Sequence, residues 1–224
     1  MSPTMNPIPR KNSFLAGFGV AVALTLTSQA ALVEIHNTGE GLTQGQLDPH
    51  WTVTLPNGTD FGPAVSATDP GNAWITPTSP NTWISTAARG NAPLGVFEYS
   101  TTFTIGPGLD PFTALLTGNW WADEPNTPND IILNGLIVSD FNGALWSDPD
   151  PANAAFTIAF GFLPGVNTLT FLVENTGGPG GTLIQNLRLN VSGVPEAGST
   201  IILLGLALGS LYFWRPSSKA RGTL

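Results

Sequence analysis

The sequence predicts an all-β protein, a single β-sandwich or jelly roll flanked by an N-terminal signal peptide and a C-terminal transmembrane helix. Three observations predict it. Between residues 31 and 193 no stretch keeps a 3.6-residue apolar period, while short runs rich in Val, Ile, Thr, Phe and Trp are bounded by Gly, Pro, Asn and Asp. Gly 26 and Pro 20 together make 46 of the 224 residues, so the chain turns often. Each end carries an apolar run beside basic residues, a pairing that the middle lacks.

At the front, Arg10 and Lys11 form a positive n-region and Phe14 to Leu26 an apolar run interrupted only by Thr25. Ser28-Gln29-Ala30 then places small residues at −3 and −1 of a cleavage site, so residues 1–30 read as a signal peptide cut between Ala30 and Ala31 by signal peptidase. A retained N-terminal anchor is the alternative, although thirteen apolar residues are short for a permanent span.

Residues 31–193 are read as the body. Trp51 to Leu55 alternates, with Trp51, Val53 and Leu55 on one face. Ala73 to Ile75 and Thr82 to Ser85 are short strand candidates. Val96 to Ile105 is the longest, with Phe97, Tyr99, Thr101, Phe103 and Ile105 sharing a face. Leu115 to Ala122, Asp130 to Leu133, Phe156 to Phe160, Thr168 to Glu174 and Leu183 to Val191 complete the set. Such a series of short strands fits a sandwich or jelly roll. Asn134-Gly135 between two apolar runs predicts a tight hairpin, and residues 175–181 a loop with nothing to pack.

Residues 194–224 form the third part. Ser199 to Trp214 carries no charge and ends in Tyr212-Phe213-Trp214, an aromatic boundary, before the basic tail 215–224 with Arg215, Lys219 and Arg221. The positive tail predicts a cytoplasmic C-terminus and an exported body. Sixteen residues at about 1.5 Å each span about 24 Å, a marginal crossing that suits a temporary anchor.

Charge is distributed unevenly. Lys+Arg 7 against Asp+Glu 15 give a net charge of −8, and only Arg89 and Arg188 face 14 acids between residues 31 and 194, which is 2 − 14 = −12. So acidic a body excludes nucleic acid as a partner. Cys 0 excludes disulfides and thiolate chemistry, and His 2 argues against a multi-histidine metal centre.

Val194-Pro195-Glu196-Ala197-Gly198-Ser199-Thr200, the apolar run and the Arg-containing tail together resemble a PEP-CTERM sorting signal. The resemblance covers about residues 194 to 221. It has the family's three parts in order, the motif at 194–200, the membrane helix at 199–214 and the basic end, with Ala197 in place of the second Pro. It implies processing by an exosortase: a precursor anchored in the inner membrane, then a protein of the cell surface or extracellular matrix in an exopolysaccharide-making bacterium. Val194, Pro195, Glu196, Ala197 and Arg215 would carry the signal. A plain single-pass tail anchor is the alternative.

The body resembles the galactose-binding-like jelly roll often found ahead of such signals. The resemblance rests on Asp48-Pro49-His50-Trp51, Thr117 to Asp123, Ile131 to Gly135, and Gly165 to Phe171 running on to Glu174-Asn175. It implies a carbohydrate-associated module.

Residue chemistry narrows the function further. Glycoside hydrolysis needs two facing carboxylates, and neither Asp123-Glu124 nor Asp148 and Asp150 present such a pair by spacing. There is no G-x-S-x-G elbow, and His36 and His50 have no nucleophile to serve; His50 suits a packing or turn role. The body is therefore read as non-enzymatic, with a polysaccharide-acting enzyme as the third-ranked function. Trp120 and Trp121 cannot both face inward on a regular strand. Trp120 matches the Trp of the galactose-binding-like pattern, so the resemblance implies that it is the one in the core. Trp121, with Asn119 and Asp123, falls on the opposite face and is a ligand-binding candidate, as is Trp146 beside the 147–150 loop. Asp123, Glu124 and Asp130, with Asn126 and Asn129, crowd one loop, and Asp148, Asp150 and Asn153 another. Calcium takes six to eight oxygens, and it is the ion such loops would hold, in a structural role; the commoner explanation of acidic loops is a solvated turn, since Asp and Asn also bond their own backbone. No motif calls for another cofactor. The function expected is a secreted, exosortase-sorted protein associated with exopolysaccharide. A structural or protein-interaction module without sugar affinity is the alternative.

Overall fold

A computed structural model describes residues 30–194, apart from 56, 69, 70, 125–129 and 142, together with Gly205. The expected signal peptide up to Gln29, the sorting motif after Val194, the membrane helix 199–214 apart from Gly205, and the basic tail lie outside the described residues. Among the described residues no helix is long and apolar enough to cross a membrane.

The body is all-β. Its strands are β1 (Ala30–Val33), β2 (Leu47–Thr54), β3 (Asp60–Ala67), β4 (Trp83–Ser85), β5 (Gly95–Ile105) and β6 (Leu115–Ala122), followed by β7 (Ile131–Leu133), β8 (Leu136–Ser139), β9 (Ala144–Leu145), β10 (Ala155–Ile158), β11 (Gly165–Asn175) and β12 (Thr182–Ser192). Hydrogen bonding runs β10-β6-β12-β4-β3-β2-β5-β11-β7-β8, with β1 added to β12 and β9 to β6. Every ladder is antiparallel except β6–β9. The result is one curled sheet, a half-barrel, whose two arms join through β4; β4 meets β12 at a single residue pair, Ile84 with Thr182.

Period-two alternation fills the concave side. Phe97, Tyr99, Thr101, Phe103 and Ile105 of β5 all point inward and are buried, as their spacing predicts. Trp51 and Val53 of β2, Leu116 and Trp120 of β6, Leu169, Phe171 and Val173 of β11, and Ile184, Leu189 and Val191 of β12 complete one core. Phe171 sits among Trp51, Trp120 and Phe156, its ring 6.0, 4.9 and 5.6 Å from theirs. Burying each such side chain contributes about 1.5–3 kcal/mol. Gly118 also faces inward; a Cβ there would lie 2.9 Å from both Leu187 and Phe156, so glycine makes room for their side chains.

The hairpin at Asn134-Gly135 joins β7 to β8 with φ of 53° and 80°, the left-handed pair that a two-residue turn requires. Ala73 to Ile75 is not a strand; it is a loop that delivers Trp74 to the outside of the sheet. β3 has no counterpart among the expected strands because Gly62 and Pro63 obscure its pattern. Pro63 is tolerated because β3 there pairs only with β2, and β4 joins at Val65.

Candidate functional site

The convex side of the sheet carries a second, smaller cluster near the C-terminal end of β6. Trp74, Trp83 and Trp121 are buried there with Ala67, Ala144, Ala154 and Leu183, and Trp146 packs against them half-buried. Trp74 and Trp83 stack with ring centroids 4.6 Å apart. Trp120 faces the main core, so the two adjacent indoles of β6 point to opposite faces, as alternation requires.

Trp121 itself is not on an exposed aromatic-polar surface; it is 1 % exposed. The reason is tertiary. The 146–153 loop folds back over β6, and the Trp121 indole N–H donates to the Asp148 carbonyl at 2.9 Å. Asn119 donates to the Pro151 carbonyl, pinning the same loop further along the strand. Trp121 keeps only a margin in a hollow of ≈ 360 Å³ shared with Ile75, Thr78, Pro149, Pro151 and Gln185.

Asp123 is also buried, its Oδ1 accepting the Trp74 indole N–H at 2.5 Å. Glu124 binds across to the β11–β12 loop, where both the backbone N–H and the hydroxyl of Thr176 donate to it. These acids border a hollow of ≈ 220 Å³ lined by Trp74, Trp146, Gly177 and Pro179. Asp130 precedes β7, and Asn126 and Asn129 lie outside the described residues. Among the described residues no three His, Asp or Glu side chains converge as metal ligands.

The second acidic loop is organised by its own backbone. Asp148 Oδ1 accepts the Asp150 N–H at 2.9 Å and Oδ2 the Asn153 amide at 2.8 Å, while Asp150 Oδ1 accepts the Ala152 N–H. The Asp150 backbone donor and then the Asn153 amide hold the Asp148 carboxyl below its ordinary range. Its carboxylate thus serves a turn that covers Trp121.

The Asp48-His50-Trp51 segment has a structural part as well. Buried Asp48 accepts the N–H groups of Gly39 and His50 at 2.7 and 2.9 Å, and the Trp51 indole donates to the His36 and Asn37 carbonyls. The His50 ring stacks on His36 at 3.5 Å, and Glu34 and Glu40 lie 3.5 and 3.8 Å from the His36 nitrogens. Fourteen residues separate the two histidines, and no local spacing signals their stack.

The structure therefore gathers Trp74, Trp146, Asp123 and Glu124 around one hollow and withdraws Trp121 from it. Trp74 joins the hollow from a loop, where the strand expected over Ala73 to Ile75 does not form, and alternation does not place loop residues. What remains is a shallow aromatic and acidic surface able to stack a flat apolar face and accept hydrogen bonds. Neither the protein-family models nor the curated proteins include a match to this chain.

Proposed function

We propose that this chain is an exported, exosortase-sorted protein of the cell surface or extracellular matrix, with a non-enzymatic body that contacts exopolysaccharide. The observation that carries the reading is the order of parts around the body: a signal-peptide-like front, then Pro195-Glu196, an uncharged run at 199–214 and a basic end. In this reading the two arms of the curled sheet form a sandwich of jelly-roll type. The precursor is held in the inner membrane with its C-terminus in the cytoplasm until processing.

The hollow beside Trp146 and Trp74 is the proposed contact for carbohydrate, since an indole face suits the C–H face of a sugar ring and the neighbouring carboxylates accept from hydroxyls. A body of −12 repels acidic polysaccharides, so affinity for one would need calcium as a bridge, held by loops such as Asp123 to Asp130. The burial of Trp121 favours the second reading, a structural or protein-interaction module without sugar affinity, because it removes one of the two expected stacking faces.

Two measurements test this. Glu196→Ala should leave an unprocessed precursor in the inner membrane; unchanged processing would favour a plain tail anchor. Pull-downs on purified polysaccharides, across salt and with or without chelator, should show either salt-insensitive binding to a neutral glycan or calcium-dependent binding to an acidic one, reduced by Trp146→Ala. Chelator-insensitive binding to an acidic glycan that weakens with salt contradicts the account, because the body lacks a cationic patch. No binding to any glycan supports the structural reading.

A further inference from the structure

The two ends of the body differ in character, and the register of the strands shows it. Ala30 pairs with Ser192, so β1 begins where β12 finishes. Leu115 pairs with Asn190, Ile158 with Leu116, and Gly165 with Ile105. The start of β1, the β5–β6 loop, the β7–β8 hairpin, the β10–β11 loop and the exit of β12 thus share one end.

Exposed apolar side chains concentrate there. The β5–β6 loop carries Phe112, 91 % exposed; the β10–β11 loop carries Phe160 and Leu163, with Val166 just after; Leu136 and Ile137 follow the hairpin turn. Segments 30–33, 105–115, 133–138, 158–168 and 190–194 contain a single charged residue, Asp110, although the body as a whole carries −12. Asp123, Glu124, Asp130 and Glu174 stand at the opposite end of their strands, where the backbones of Glu124 and Glu174 form an isolated antiparallel β-bridge.

These apolar groups are held outward by ordered backbone. Asp110 Oδ1 caps the turn by accepting the Phe112 N–H at 3.0 Å, and the Thr113 hydroxyl donates to the Asp110 carbonyl at 2.7 Å. Buried Asn167 bonds the Leu163 N–H and carbonyl, both at 2.8 Å, fixing a loop in which Phe162 turns into the core. The β5–β6 loop is tied in turn to the chain's exit. Asp110 N–H donates to Ser192, and Val194 N–H to Gly108, both at 2.8 Å.

We infer that this end docks on the lipid–water interface of a bilayer, with Phe112 and the β10–β11 loop as its interfacial anchors. The inference rests on the reading above that residues 199–214 enter a membrane. Only residues 195–198 separate Val194 from that run, and four residues extend at most about 14 Å. The chain therefore leaves the body at its charge-poor apolar end and reaches the bilayer almost at once. An aromatic side chain on a rigid loop suits the interfacial region, and an apolar surface clustered at one end marks an interaction face. Docking would present the acidic, Trp-lined end to the outside.

The absence of cysteine allows a direct test on the full chain in phosphatidylethanolamine–phosphatidylglycerol vesicles. Phe112→Cys and, at the far end, Ser147→Cys would each carry an environment-sensitive fluorophore. Flotation should show the chain with the vesicles. The label at 112 should be quenched by shallow lipid-borne nitroxide and be several-fold less sensitive to aqueous iodide than the label at 147. Flotation with equal iodide sensitivity at both positions overturns docking alone. Protection at 112 without lipid quenching means that protein covers the face, and also overturns it. Failure to float overturns the membrane reading and docking together. Phe160→Asp, an exposed change, should raise iodide access at 112 without altering flotation; an unchanged 112 signal in that variant counts against the β10–β11 loop as an anchor.

Discussion

Removing the Trp121 indole tests whether this residue belongs to the fold or to a binding surface. Trp121 is 1 % exposed, packed beneath the 146–153 loop and beside the other indoles of the outer cluster. Truncating a buried tryptophan to alanine costs about 3–5 kcal/mol, with the spread set by how far the site collapses. The Asp148 carbonyl also loses its donor at 2.9 Å, but that loop is near solvent and water can replace it. A loss of about 4 kcal/mol is a large share of the roughly 5–15 kcal/mol that holds a domain together. At about 2–4 °C per kcal/mol for a domain of this size, Trp121→Ala in a fragment spanning 31–193 should lower Tm by about 8–16 °C. Trp121→Phe keeps most of the volume and loses the hydrogen bond, so it should cost about 1 kcal/mol for the bond plus a smaller packing loss. Trp146→Ala, at a half-buried position, should be milder than Trp121→Ala. Thermal and urea unfolding followed by circular dichroism, with no oxidant needed, measures all three. A Tm for Trp121→Ala within about 2 °C of the parent would refute the packing argument, since loss of a buried indole cannot be that small.

Two further outcomes follow from the same packing and loop geometry. Gly118→Ala places a Cβ 2.9 Å from Leu187 and Phe156 and should destabilise the fragment by about 1–3 kcal/mol, read as a lower urea midpoint with an unchanged slope. The Asp148 carboxyl is held below its ordinary value of 3.8, so its hold on the 148–153 turn is complete above that pH and is lost as pH falls through the lowered value. Amide exchange at Asp150 should accelerate in that acid range relative to the intrinsic rate, and Asp148→Asn should flatten the pH dependence; an Asp150 amide that stays equally protected would count against this role for the carboxylate.

Local geometry is legible in the order of the residues alone. Alternation puts the five inward residues of β5 on one face and separates Trp120 from Trp121, and the turn-forming residues on either side of the run limit β6 to Leu115–Ala122. Asn134-Gly135 specifies its own turn, because two consecutive left-handed residues are cheap only for such pairs. Each of these depends on backbone sterics within a few residues. What covers the convex face depends instead on contacts between distant segments. A period of two says that Trp121 points away from Trp120, but a loop twenty-seven residues further on buries it through the Asp148 carbonyl. Likewise Trp74 arrives from a loop to meet Asp123 across forty-nine residues, and His36 stacks on His50 across fourteen. The gathering of apolar loops at one end is of the same kind. Phe112, Phe160 and Leu136 look like scattered residues in the sequence, and antiparallel register brings them to the end where the chain leaves the body. Long-range pairing of strands, which no local pattern encodes, places them there.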